Sequence, residues 1–213
     1  MRTASYRDAD HRRYGWRIVR ADPREYNQLK LRAHSLLADV ELHDVWLAEL
    51  PGGGPDRTIE DARFCFTPQT ATTANAAVKS LFAIRRSIGR MFGWDREAYR
   101  WDHELYRHRL TEEDRARSLV PPGTVDDIFR IVYVFPYEAL SEVRNATVHA
   151  FSCLAMRATM NGYRLYWAIY VKPISPWTAT YMRVIDPFRR TFVYPAVIHR
   201  IESEWRTRFG DNP

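Results

Sequence analysis

The sequence predicts an α+β domain in which a curved antiparallel sheet is wrapped around a long C-terminal helix. Three observations carry this expectation. Four strand-like stretches crowd between residues 128 and 172, two of them joined by Asn161-Gly162. A helical apolar pattern then runs from Pro176 to Phe209. The chain, 213 residues with 46% hydrophobic content, is long enough to bury a core without disulfide or metal staples.

In chain order, the first 34 residues are polar, with a short strand candidate at Trp16 to Arg20. They read as an N-terminal extension packed on a single domain spanning 35–213. Val40 to Leu50 reads as a strand, ended by Pro51-Gly52-Gly53-Gly54-Pro55. Thr58 to Phe66 is a short helix, with Glu60 and Asp61 suited to its first turn. Thr72 or Thr73 opens a longer helix. Its residues Ala77, Leu81, Ile84, Ile88 and Met91 form one apolar stripe, and Gly93 stops it. Residues 94–120 are charged, with a helical turn expected at Thr111 to Arg117 before Pro121-Pro122-Gly123.

Ile128 to Phe135, Tyr137 to Asn145, Thr147 to Ala158 and Tyr163 to Lys172 then form an antiparallel meander. Asn161-Gly162 is expected as a type I′ turn, since both residues tolerate positive φ. In the last strand Leu165, Trp167 and Ile169 are expected to face the core. Tyr166 and Tyr170, sharing a side with Arg164 and Lys172, would then face solvent. In the C-terminal segment Ser175 and Pro176 suit a helix start, while Pro187 and Pro195 should kink or divide it.

Composition excludes several functions. Lys plus Arg is 32 against 26 for Asp plus Glu, a net charge of +6 without a concentrated basic block. A nucleic-acid partner is therefore not expected. Cys65 and Cys153 lie in apolar company outside any ligand pattern, so the reading is buried reduced thiols, no metal and a cytoplasmic location. Met1 to Arg13 is charged and lacks an apolar leader core, and Leu165 to Val171 is too short to span a bilayer, so no membrane span is expected. The glycine run lacks the Lys-Ser/Thr of a phosphate loop, no dinucleotide fingerprint is present, and no cofactor is expected.

A one-faced apolar sheet needs a cover, and a long helix across a curved meander supplies one. That is the layout of the helix-grip fold of START-like and Bet v 1-like proteins, where a cavity remains between helix and sheet. The chain also carries Asp44-Val45-Trp46 followed by Pro51-Gly52-Gly53, then 76–85 (AAVKSLFAIR) and Gly93-Trp94-Asp95. It continues with 142–149 (EVRNATVH) and 166–173 (YWAIYVKP), then Tyr181-Met182, Asp186-Pro187-Phe188-Arg189-Arg190, Val193-Tyr194-Pro195 and Arg200-Ile201-Glu202. In this combination, from about residue 40 onward, it resembles the bacterial family of unknown function DUF2867. The resemblance implies an SRPBCC-like helix-grip domain and no agreed activity.

His149 is the first candidate for chemistry. It sits mid-strand with Thr147, Phe151 and Cys153, and in an apolar pocket it would be a poised acid or base. The alternative is a core histidine held by a carbonyl or tyrosine. Glu138 and Glu142, four apart, share a face and could orient His149 or act as base, or could simply balance Arg130 or Arg144. Asp186 with Arg189 or Arg190 could anchor a polar ligand group, or Asp186 could cap a helix restarting at Pro187. Tyr133, Phe151, Trp167, Tyr181, Ile185 and Phe188 are expected to line the cavity. The expected function is binding of a small, largely apolar molecule such as a lipid, polyketide or aromatic metabolite. The alternatives are a cyclase- or dehydratase-type enzyme on a natural-product-like substrate, and a protein-interaction module.

Overall fold

A computed structural model of the chain describes residues 19–66, 104–126, 128–144 and 148–210, excluding the side chains of Val19, Phe66, Trp177 and Tyr181. Within these residues a seven-stranded, wholly antiparallel, open curved sheet forms the middle of the fold. Its strands are β1 (Val19–Arg20), β2 (Glu41–Pro51), β3 (Val125–Asp126), β4 (Phe129–Phe135), β5 (Glu138–Arg144), β6 (Val148–Thr159) and β7 (Gly162–Pro173). Their spatial order is β1-β2-β7-β6-β5-β4-β3. The meander β4 to β7 follows chain order, and β2 closes against its last strand.

The helices are α1 (Pro23–Asn27), α2 (Arg32–Leu36), α3 (Ile59–Phe66), α4 (Glu112–Arg117), α5 (Trp177–Phe188) and α6 (Tyr194–Phe209), with a 3-10 turn at Tyr106–Arg109. Asp22 caps α1, and Thr111 with Asp114 forms a capping box on α4. The helix expected from Thr72 lies outside the described residues. The α5 helix begins one residue later than expected. Pro176 is its cap residue, and the Thr178 hydroxyl accepts from the Ile174 and Ser175 N–H groups. Pro187 does not break the rod. One π-turn, Arg189–Val193, joins α5 to α6 and absorbs the mismatch that the two prolines impose on the hydrogen-bond ladder.

The sheet is covered on both faces. On the front, α3, α5 and α6 pack Ile59, Ala62, Met182, Tyr194, Ile198, Ile201 and Trp205 against Trp46, Leu165, Trp167 and Ile169. Tyr194 stands with its ring centroid 5.1 Å from both Trp46 and Trp167, and Trp205 lies 5.8 Å from Tyr163. On the back, α1, α2 and the 3-10 turn bring Tyr26, Leu31, Leu36, Tyr106 and Leu110 onto Tyr133, Leu140, Phe151, Cys153 and Tyr170.

This second layer corrects one expectation. Tyr166 and Tyr170 are not solvent-facing but 3% and 4% exposed. Tyr166 donates to Glu25 and Tyr170 to the Tyr26 hydroxyl. A strand in a middle layer buries both its faces, so β7 reads as a near-continuous apolar run.

The hairpin turn also differs. Thr159 pairs with Gly162, so the turn residues are Met160 and Asn161, and neither has positive φ. Gly162 has φ 139°, and a Cβ there would fall 2.3 Å from the Leu50 carbonyl oxygen. Close passage of β2 sets this glycine's place.

Candidate functional site

β5 presents Glu138, Leu140 and Glu142 to the back layer by simple alternation. Both carboxylates are buried, and each holds the start of a segment crossing that face. Glu138 accepts from the Arg32 and Ala33 N–H groups at 2.9 and 2.8 Å, and also from the Tyr133 hydroxyl. Glu142 accepts from the Tyr106 and Arg107 N–H groups at 3.0 and 3.3 Å. Each therefore satisfies orphan donors at the first turn of a short helix. Glu138 is fully engaged in this anchoring, and its nearest polar partners are all structural.

Glu142 has a further partner. His149, on the adjacent β6, points to the same face, and its Nε2 lies 2.8 Å from a Glu142 oxygen with both side chains buried. The carboxylate already accepts from two backbone donors, so the shared hydrogen belongs to His149 Nε2. In the neutral imidazole Nδ1 then keeps its lone pair, and it has no hydrogen-bond partner among the described residues. The imidazole stacks on Phe151 at 4.5 Å and meets the Tyr106 ring edge-on at 5.3 Å.

His149 lines an open cleft of about 320 Å³, together with Glu104, Leu105, Tyr106, His108, Arg109, Lys172 and Ile174. At its rim Asp39 accepts from Arg109 (2.7 Å), Lys172 (2.8 Å) and the Tyr106 hydroxyl (2.8 Å). Hydrogen bonding from Arg109, reinforced by Lys172 and Tyr106, holds Asp39 far below the usual carboxylate range. The same contact with Asp39 raises Lys172. Burial raises the Tyr106 phenol, against the pull of Lys172, so it stays a neutral hydroxyl. The arrangement sets an imidazole whose Nδ1 has no described partner beside the Lys172 ammonium and the Arg109 guanidinium.

The other residues expected to line one cavity are divided by the sheet. Tyr133 and Phe151 are buried on the back. Trp167 is buried on the front, where its indole N–H donates to Ser152 at 2.9 Å, and Ile185 packs half-buried on the same side. Phe188 is 55% exposed, and the Tyr181 side chain lies outside the described residues. Among the described residues the front layer between β2, β7 and α6 is filled by Trp46, Trp167, Tyr194 and Trp205.

A second polar cluster joins Asp186 and Arg190, expected together on the C-terminal segment, to His43 and Asp44 of β2, which no sequence pattern links to them. β2 pairs Leu42 with Tyr170 and Asp44 with Ile169, so His43 is the extra residue of a β-bulge. The bulge sits opposite the π-turn. His43 Nε2 lies 2.8 Å from Asp186, and Arg190 Nε donates to buried Asp44 at 3.1 Å. Asp186 thus lies inside α5 and pairs across to the sheet, so it does not cap a restarting helix. Alternation alone would put His43 and Asp44 on opposite faces, and the bulge that unites them has no sequence signature.

No group of three or more His, Cys, Asp or Glu among the described residues could hold a metal, and no described helix is long and apolar enough to cross a membrane. No curated protein and no solved structure matches the chain. A family model described as "Protein of unknown function (DUF2867)" does match it, over residues 36–196, and the chain belongs to that family.

Proposed function

We propose that this chain binds a small molecule at the His149 cleft and can exchange a proton with it there. The carrying observation is the buried Glu142–His149 pair beneath an open cleft edged by Lys172 and Arg109. With Nε2–H committed to Glu142, Nδ1 is the group that would accept a ligand hydroxyl or an acidic proton, and burial on Phe151 and Tyr106 fixes the ring. Lys172 donates to Asp39 and to the Tyr106 hydroxyl, and its third hydrogen would orient an oxygen of the ligand. This supports the acid/base enzyme reading over that of a purely apolar carrier, on a scaffold that we read as helix-grip-like from its curved antiparallel sheet and C-terminal helix.

A second reading places a largely apolar ligand between sheet and C-terminal helix. The buried Met182 and half-buried Ile185 of α5, on the side of Trp167, favour it. The two readings separate experimentally. Native mass spectrometry of the full chain, followed by extraction of any bound small molecule, is expected to find a polar ligand whose retention falls in His149→Ala and Lys172→Ala. Retention of an apolar ligand that is lost in Ile185→Asp and kept in His149→Ala would transfer the function to the front layer. Bare protein, together with a fragment library from which nothing competes at His149, would end the proposal.

A further inference from the structure

The cleft at the β2 bulge repeats the logic of the His149 site with different residues. It measures about 330 Å³ and is lined by Arg20, Ala21, Pro23, Leu42, His43, Asp44 and Val45. His43 Nε2 faces two carboxylates, Asp186 at 2.8 Å and Asp44 at 3.7 Å. Ionised carboxylates only accept, so in the neutral imidazole Nε2 carries the hydrogen and Nδ1 is the acceptor. Nδ1 has no hydrogen-bond partner among the described residues.

Arg20 lies on the edge strand β1 with its side chain 55% exposed. It spends one terminal nitrogen on Asp44 and leaves the rest of its donor fork without a described protein partner. Asp44 is also bound by Arg190, and Asp186 lies near both Arg189 (3.6 Å) and Arg190 (3.9 Å). Of these guanidinium groups Arg20 is the one that lines the cleft, beside His43 and Asp44, while Arg190 also pairs with Asp44. Two backbone irregularities, the bulge and the π-turn, build this geometry. Each costs regular hydrogen bonding, and both occur preferentially at functional sites.

The requirement on a ligand follows from the two unspent groups. Arg20 offers donors and positive charge, and His43 Nδ1 offers an acceptor. A simple carboxylate satisfies only the first. An oxyanion that also carries a hydroxyl satisfies both. From this we infer a second small-molecule site at the His43 bulge, one that takes a hydroxyl-bearing oxyanion, either a singly protonated phosphate or a hydroxycarboxylate. The site does not depend on the His149 reading, since it shares no residue with it.

The test uses the full chain at neutral pH and constant ionic strength, following the assigned His43 imidazole signals by NMR. Inorganic phosphate, glycolate and acetate are titrated separately. Phosphate, glycolate or both are expected to shift His43 saturably, with acetate about fivefold weaker or more. Whichever of the two binds more tightly identifies the ligand source. Arg20→Gln is expected to weaken the response about tenfold, while Arg20→Lys, which keeps the charge, retains most of it. A non-saturable response, equal binding of acetate, or an unchanged response in a folded Arg20→Gln protein would overturn the site.

Discussion

His149 Nε2 lies 2.8 Å from the Glu142 carboxylate, and that carboxylate also accepts from the backbone N–H groups of Tyr106 and Arg107. One side chain on β5 therefore fixes both the tautomer of a histidine and the placement of the turn that covers it. Glu142→Ala should strand three donors, two of them fully buried. The expected loss is about 3 kcal/mol in urea-induced unfolding. His149→Ala should cost less than Glu142→Ala, because the carboxylate keeps its two backbone donors. A reversed order would mean that the pair is held mainly by ring packing on Phe151.

Asp39 and Asp114 are both depressed, the first chiefly by its hydrogen bonds from Arg109 and the second by those from Arg32. A carboxylate lowered in the folded state contributes stability that is fully present above its ordinary value near 4. That contribution is lost as pH falls through the folded value. Unfolding midpoints measured between about pH 5 and pH 2 should fall steadily, and Asp39→Asn should flatten part of that slope.

His34 titrates at higher pH by the same rule. Burial lowers it against the attraction of Glu138, and its Nε2 has no partner. Stability linked to it is complete above about 6.5 and declines as pH falls through the lowered value. Amide protection in α1 and α2, measured relative to the intrinsic exchange rate at each pH, should fall between neutral and mildly acidic pH, and His34→Gln should abolish that fall.

Trp205 is fully buried, stands 4.8 Å from Phe209, and donates its indole N–H to the Pro51 carbonyl at 3.1 Å. A Cβ on Gly53 would come within 2.9 Å of its ring. Trp205→Ala should cost about 4 kcal/mol, and Gly53→Ala should also destabilise because φ there is 90°. Thermal unfolding of both variants, each compared with Met160→Ala at a position 98% exposed, tests this.

Gly162 offers a narrower test. Substitution by alanine meets the Leu50 carbonyl and must part β2 from β7, whereas Asn161→Ala meets no such contact. The first should lower the unfolding midpoint by an amount equivalent to about 2 kcal/mol or more, and the second by well under half of that.

By itself the sequence determined the strands and the helical C-terminal segment. Alternation and proline-glycine breaks are local, and the observed strands β2 and β4 to β7 begin and end within a residue or two of the expected bounds. It also determined that Glu138 and Glu142 share a face, because a strand has a period of two; His149, expected mid-strand, is the second residue of β6. What lies over each face is a long-range matter that no local period encodes. Only the tertiary structure decided that residues 21–40 bury Tyr166 and Tyr170, and that His149 faces that layer while Trp167 faces the C-terminal helix. The same holds for His43 and Asp44. One extra residue in β2 is invisible until its partner strand fixes the register, and that extra residue brings His43 to Asp186.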